Sequence, residues 1–208
     1  SREVISDLDR ELSGIESGLR VLATSESLTK GDLKTFYNEA RNALKSQVVY
    51  NYILTDREGK QIINTLRPFG EPLPTTGTPP ALAAVFAAGR TVLTDLFIGP
   101  VTKKPVLAMG VPVIGDDGAV TYSLNIGLDP IYLTGMLKRH DIPKDWLVGI
   151  VDNTGIIVAR SREADRFVGL AEQQRTEVRI GVEAVAVGVA RIVVQPLGVA
   201  LHDLLEKL

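Results

Sequence analysis

Apolar residues near the start of the chain recur at Leu8, Leu12, Ile15, Leu19 and Leu22, with polar residues between them. The alternating steps of four and three place them on one stripe of an amphipathic helix in heptad register. Gly14 and Gly18 weaken that helix by roughly 1 kcal/mol each relative to alanine. The stripe either packs along its own domain or seams a dimeric coiled coil. Thr29-Lys-Gly-Asp32 then caps a second helix, running to about Leu44, whose inner face carries Leu33, Phe36, Tyr37, Ala40 and Leu44.

From Gln47 the period becomes strand-like: residues 48–54 feed a turn and 61–65 return from it. Two segments are near copies, Ile53-Leu-Thr-Asp-Arg-Glu-Gly59-Lys-Gln-Ile62 and Ile150-Val-Asp-Asn-Thr-Gly155-Ile-Ile-Val158, with Asp56 and Gly59 matching Asp152 and Gly155. Each predicts a β-hairpin whose glycine supplies a positive φ. Val113-Ile-Gly-Asp-Asp-Gly118-Ala-Val120 uses the same turn chemistry. The repeat divides the chain into two copies of one module.

Between them, Arg67-Pro-Phe-Gly-Glu-Pro-Leu-Pro-Thr-Thr-Gly-Thr-Pro-Pro80 is too rich in proline and glycine for regular structure, and loops of this length are often functional. A short helix over 81–89 and strands over 91–98, 105–114 and 119–128 complete the first module: five antiparallel strands with helices on one side, an α+β plan. Pro130 starts a connecting helix. A shorter module follows, with a hairpin from Trp146 and an apolar strand over 182–189. Val194, Leu197, Leu201, Leu204 and Leu208 give a second heptad stripe, which Pro196 starts or kinks. The resulting division is a helical segment 1–46, a first module 47–129, a connecting helix 130–144, a second module 145–190 and an exit helix 191–208.

Composition narrows the function. The chain has 208 residues, a net charge of -2 and 45% hydrophobic residues, enough to bury a core as one large domain or two small ones. No run of about 18 apolar residues could span a bilayer, and Ser1-Arg-Glu-Val is not a signal peptide. Without a lysine and arginine block or many aromatics there is no footprint for nucleic acid. The absence of cysteine excludes disulfides, thiolate metal sites and cysteine nucleophiles.

No nucleophile with a base, metal cluster or phosphate cradle is found, and no cofactor is expected. His140 and His202 each stand beside an aspartate at a helix end, as solvated or capping histidines do. Asp56, Asp116, Asp117 and Asp152 fall in turns beside glycine, where their side chains bond the local backbone. Asp95 and Asp129 sit at strand boundaries in apolar segments, next to Phe97 and Leu128. They either face a pocket and bind a cation or cap a strand end or the following helix. Tyr50 and Tyr52 share a face under strict alternation, and with Tyr122 they offer a ligand both apolar surface and hydroxyls. Core packing is the alternative for each. Arg67 either clamps a carboxylate or is a solvated loop residue.

The order of long helix, five-stranded module, connecting helix and smaller module resembles the double Cache, PAS-like sensor domains of bacterial transmembrane receptors, those of histidine kinases above all. The resemblance is carried by Tyr52-Ile-Leu-Thr-Asp-Arg-Glu-Gly59, by Thr94-Asp-Leu-Phe-Ile-Gly-Pro-Val-Thr-Lys-Lys-Pro-Val106 running into Met109-Gly-Val-Pro-Val113, and by Trp146-Leu-Val-Gly-Ile-Val-Asp-Asn-Thr-Gly155. It implies a non-catalytic, extracytoplasmic, periplasmic input domain, anchored by flanking membrane helices, that binds a small molecule in the membrane-distal module. A homodimer is compatible with it, and a kinase or cyclase output domain is expected. Amino-acid-binding members carry an arginine and a tryptophan in the pocket's helix and loop region, a tyrosine on the next strand and an aspartate near the end of the last. Here Asp129 matches the aspartate, Phe97 stands where the tyrosine would be, and no tryptophan follows Arg67. These departures count against a free α-amino acid and leave a carboxylate, another small metabolite or no direct ligand. The chemistry of the residues and the resemblance together point to a ligand site among Tyr50, Tyr52, Arg67, Asp95, Phe97, Tyr122 and Asp129.

Overall fold

The amphipathic stripe of the first segment becomes helix α1, Arg2–Ala23, in the computed structural model, which describes residues 2–46, 49–75, 80–169, 186–187 and 190–196. Leu8, Leu12, Ile15 and Leu19 of the stripe are buried, with Val4 and Ala23 beside them, and Leu22 is half-buried, so most of the stripe is covered within the chain itself. A one-turn helix α2, Glu26–Thr29, precedes α3, Leu33–Ala43. Asp32 caps α3 as its sequence predicts: the Thr35 backbone N–H donates to its carboxylate at 3.1 Å. Phe36, Tyr37 and Ala40 form the buried face.

The chain divides into two compact units: Glu11–Asp129, and Ser1–Arg10 with Pro130–Leu208. The first holds β1 Tyr52–Thr55, β2 Gln61–Asn64, α4 Pro80–Ala88, β3 Val92–Leu93, β4 Phe97–Ile98, β5 Pro105–Ile114 and β6 Val120–Leu128. Its antiparallel sheet runs β2-β1-β6-β5-β3, with β4 also on β5. β1 begins only at Tyr52, four residues later than the sequence pattern suggests. The strand expected over 91–98 is broken at Thr94, whose side-chain oxygen accepts from the Ala108 N–H at 2.9 Å while its own N–H donates to Ala108 O at 2.8 Å. The Thr94 hydroxyl stands in for a ladder carbonyl, and the chain turns away. Pro112 is tolerated because β3 pairs only with Met109 and Gly110 of β5.

Both faces of this sheet are covered. Leu54, Val111, Leu124 and Ile126 on one face are no more than 1% exposed, while Asn51, Ala108, Asn125 and Gly127 on the other are also buried.

The second unit contains α5 Pro130–Lys138, β7 Trp146–Asp152, β8 Ile157–Arg160, α6 Ala164–Phe167, β9 Ala186–Val187 and β10 Ala190–Pro196, with sheet order β8-β7-β10-β9. The exit helix expected from 191 is corrected over 191–196. These residues pair along the whole of β7, from Ala190 opposite Asp152 to Pro196 opposite Trp146. The β-branched run Ile192-Val193-Val194 favours the extended form, and Pro196, which bars a helix interior, ends the ladder. Residues 197–208, and the expected strand over 182–189 apart from Ala186–Val187, lie outside the described residues. α5 buries Leu133, Met136 and Leu137 and packs on β8. His140, expected to be solvated or capping, is only 15% exposed and holds its Nε2 3.3 Å from Asp7 Oδ2.

The two near-copied segments make equivalent hairpins. Gly59 and Gly155 adopt φ of 79° and 83°, and each donates its N–H to the carbonyl of its aspartate, Asp56 or Asp152, at 3.1 Å. Both hairpins carry a register shift next to the turn, at Leu54/Thr55 and at Ile150/Val151. The local sequence therefore specifies the bulge as well as the turn.

Candidate ligand pocket

Alternation along the strands decides which side chains meet on the covered polar face of the first sheet. Ile53 of β1 stands opposite Asn64 on one side and Asn125 on the other, and Asn125 stands opposite Gly110 of β5. The neighbouring row brings Asn51, Gly127 and Ala108 together. Glycines stand beside the amides, where an added Cβ would collide. At Gly110 it would come 2.4 Å from Asn125 Oδ1, and at Gly127 2.7 Å from Asn51 Oδ1. Glycine in these strand interiors is thus a space requirement of the amides.

A pocket opens over these rows, with about 470 Å³ of empty space including the part open to solvent. Its floor is Asn51, Ile53, Gln61, Asn64, Ala108, Asn125 and Gly127; its walls are Leu82 of α4, Phe97 and Val106, and the hairpin Gly99-Pro-Val-Thr102. That hairpin is closed by hydrogen bonds between Gly99 and Lys103 and between Gly99 and Lys104, at 2.8 and 2.9 Å. Gly99 packs closely on the hairpin: an added Cβ would meet Thr102 Oγ1 at 2.4 Å, so the threonine side chain would have to turn.

The floor is bound into networks. Asn51 Nδ2 donates to Asn64 Oδ1 at 3.0 Å, and Asn64 Nδ2 donates to Gln61 Oε1 at 2.8 Å. Asn125 Nδ2 donates to Ser123 O at 2.9 Å and to Thr55 Oγ1 at 3.2 Å, while Asn125 Oδ1 accepts from the Ser123 hydroxyl at 2.8 Å. Asn64 and Asn125 are thus held through both their amide atoms, and Asn51 and Gln61 are each held through one.

Of the seven residues expected at a site, Phe97 lines this pocket. Tyr52 alternates with the pocket-lining Ile53, so it lies on the opposite face; it is buried, and burial pushes its hydroxyl pKa up. Tyr50 precedes β1, so strand alternation does not extend to it. Its hydroxyl hydrogen-bonds Asp129, and burial first, then that bond and the carboxylate charge, push it up to about 12. Tyr122, half-buried, stands opposite Val113 on the strand face shared with Leu124, away from the pocket. The Arg67 side chain is exposed outside the lining; its backbone carbonyl accepts from the Tyr37 hydroxyl at 2.8 Å. Asp95 is half-buried and also outside the lining. The structure thus joins Tyr50 to Asp129 and brings Phe97 to the pocket. The floor amides Asn51, Gln61, Asn64 and Asn125 were not anticipated. Their signal was amides set singly among apolar strand residues, with Gly110 and Gly127 in the neighbouring strands.

No protein-family model matches the sequence, and no curated protein matches it. Solved structures do resemble the fold. The ligand-binding domain of the Pseudomonas fluorescens chemoreceptor CtaA, in complex with L-serine, matches with a TM-score of 0.73 at 12% identity, over 94% of this chain and 93% of that one. The sensor domain of the V. cholerae histidine kinase DctB matches with a TM-score of 0.55 at 12% identity, over 94% and 96%. An extracellular ligand-binding receptor from Desulfohalobium retbaense matches with a TM-score of 0.65 at 13% identity; the match covers 93% of this chain and 38% of that receptor. At these identities the likeness is one of fold. The chain has the α+β fold of double Cache sensor domains, the extracellular ligand-binding domains of bacterial chemoreceptors and histidine kinases. Among the described residues no helix is long and apolar enough to cross a membrane.

Proposed function

We propose that the chain is the extracytoplasmic input domain of a membrane-anchored signalling receptor, a histidine kinase by the resemblance of its sequence. In this reading it catalyses nothing. It binds a small metabolite in the pocket between the first sheet, α4 and the 99–102 hairpin, and relays occupancy toward the ends of the chain as a shift between two conformations. The observation that carries the reading is the pocket itself, a concave, mainly apolar site with a few fixed polar groups on its floor. Phe97 is the ligand contact that both the sequence pattern and the pocket favour. The neighbours lend support by kind, since one of them was solved with an amino acid bound.

Thermal melting of the 208-residue chain against a metabolite library tests the reading. One or more compounds should raise the melting temperature saturably, since a ligand that binds only the native state stabilises it by mass action. Val101→Trp, at a half-buried position on the pocket wall, should abolish the rise by filling the space. If no compound raises the melting temperature, the ligand reading gives way to a ligand-free dimerisation or partner-binding module.

A further inference from the structure

The pocket's lining carries no charged side chain among the described residues. Its polar members are the amides of Asn51, Gln61, Asn64 and Asn125 and the hydroxyl of Thr102. Lys103 and Lys104 follow Thr102 but are exposed and outside the lining. A carboxylate or ammonium entering this space would give up its hydration with no counter-charge to replace it.

The amides also differ in what they have left to offer. Asn125 uses its Nδ2 on three acceptors and its Oδ1 on Ser123, so it is committed to the protein. The chain of bonds through Asn51, Asn64 and Gln61 has two open ends. Gln61 Oε1 is taken by Asn64, which leaves its Nε2 as a donor with no partner among the described residues. Asn51 Nδ2 is taken up by Asn64, which leaves Asn51 Oδ1 as an acceptor, likewise without a partner. Asn51 and Gln61 are only 3% and 4% exposed, and neither open atom is sealed from solvent, so both face the pocket, where a ligand would take the place of water.

Resting on the ligand-sensing reading above, we infer that this pocket is built for an uncharged ligand. That ligand would present an acceptor to Gln61 Nε2 and a donor to Asn51 Oδ1 and bury its remaining surface against Ile53, Leu82, Phe97 and Val106. Carboxamides, lactams and nucleobases have this chemistry. Free amino acids, dicarboxylates and polyamines do not.

Calorimetric titration of the 208-residue chain with two panels tests the inference. The neutral panel is uracil, nicotinamide and 2-pyrrolidinone; the charged panel is L-alanine, succinate and putrescine. Binding by at least one neutral probe and by no charged probe is the expected result. Gln61→Glu keeps an acceptor for Asn64 Nδ2 but deletes the donor, so the neutral probe should bind about tenfold more weakly to it or not at all. Phe97→Ala, which leaves the amide chain intact, should weaken the same probe and serves as the second variant if Gln61→Glu does not fold. Binding of a charged probe with none from the neutral panel overturns the neutral-ligand inference while the sensing reading stands. Undiminished binding of the neutral probe to a folded Gln61→Glu also overturns the inference. Failure of both panels, with a library compound found by melting to be charged or to lack an acceptor or a donor, overturns it too. If neither panel binds and no library compound stabilises the chain, both readings fall.

Discussion

Gly127 and Asn51 occupy a single gap on the pocket floor: a Cβ on residue 127 would stand 2.7 Å from Asn51 Oδ1. Because Asn51 is tied to Asn64 at 3.0 Å, it cannot withdraw without breaking the amide chain. Gly127→Ala should therefore cost about 1–3 kcal/mol of stability through overpacking in the floor. It should also weaken ligand binding beyond that loss. Chemical denaturation gives the first quantity and calorimetric titration the second; a variant as stable as the parent would mean that the floor yields.

Tyr50 gives the protein a handle at high pH. Its folded value is pushed up to about 12 from an ordinary 10.0, by burial and by Asp129. A group whose folded pKa is raised stabilises the fold fully below its unfolded pKa and loses that contribution as pH rises through the folded one. Stability should thus fall between about pH 10 and about 12 in part through this phenol. Asp129→Asn removes the charge but keeps an acceptor, so Tyr50 should ionise at lower pH. Spectrophotometric titration of the phenolate, with a Tyr50→Phe reference, measures the difference.

Local signals were easily read from the sequence, and cross-strand relations were not. The stripe of α1, the Asp32 cap and the positive-φ turns at Gly59 and Gly155 each depend on residues a few positions apart, so spacing alone finds them. The pocket depends on Asn51, Gln61 and Asn125, which meet only through the register of β1, β2 and β6. A period-two pattern says that two faces exist but not which one a ligand will see. Tyrosine chemistry suits a ligand site, yet Tyr52 and Tyr122 lie on the face opposite the pocket. At the far end a heptad spacing over Val194 and Leu197 suggested a helix, and pairing along β7 overrode it as far as Pro196. Tertiary partners decided there, as they commonly do for short apolar runs.

Glu16 should set part of the acid limit of stability. The Thr91 hydroxyl donates to its carboxylate, and Arg20 bonds both Glu16, at 2.8 Å, and Thr91, at 2.6 Å. The Thr91 hydrogen bond first, then Arg20, hold its pKa below the usual 4.5 against the opposing effect of burial. A lowered folded pKa means that the stabilisation is present above the unfolded value and is lost as pH falls through the folded one. Glu16→Gln should lower the melting temperature at neutral pH and flatten its decline below about pH 4.5. Melting curves from pH 3 to 7 provide the test; parallel curves for variant and parent would remove Glu16 from the account.

The two hairpins share a turn, yet their aspartates are loaded differently. Asp56 Oδ1 accepts one backbone N–H, from Lys60 at 2.8 Å, and the residue is half-buried. Asp152 is 1% exposed, and its Oδ1 accepts from Thr154 N at 2.9 Å, Ile156 N at 2.9 Å and the Thr154 hydroxyl at 2.7 Å. A hydrogen bond contributes about 0.5–1.5 kcal/mol net, and the buried Asp152 carboxylate has three to lose where Asp56 has one. Asp152→Ala should therefore destabilise the chain more than Asp56→Ala does, although the sequence motif is the same. Hydrogen exchange localises the effect: Asp152→Ala should speed exchange of the Thr154 and Ile156 amides, and Asp56→Ala that of Lys60. Equal losses from the two substitutions would mean that the turn, and not its burial, sets the cost.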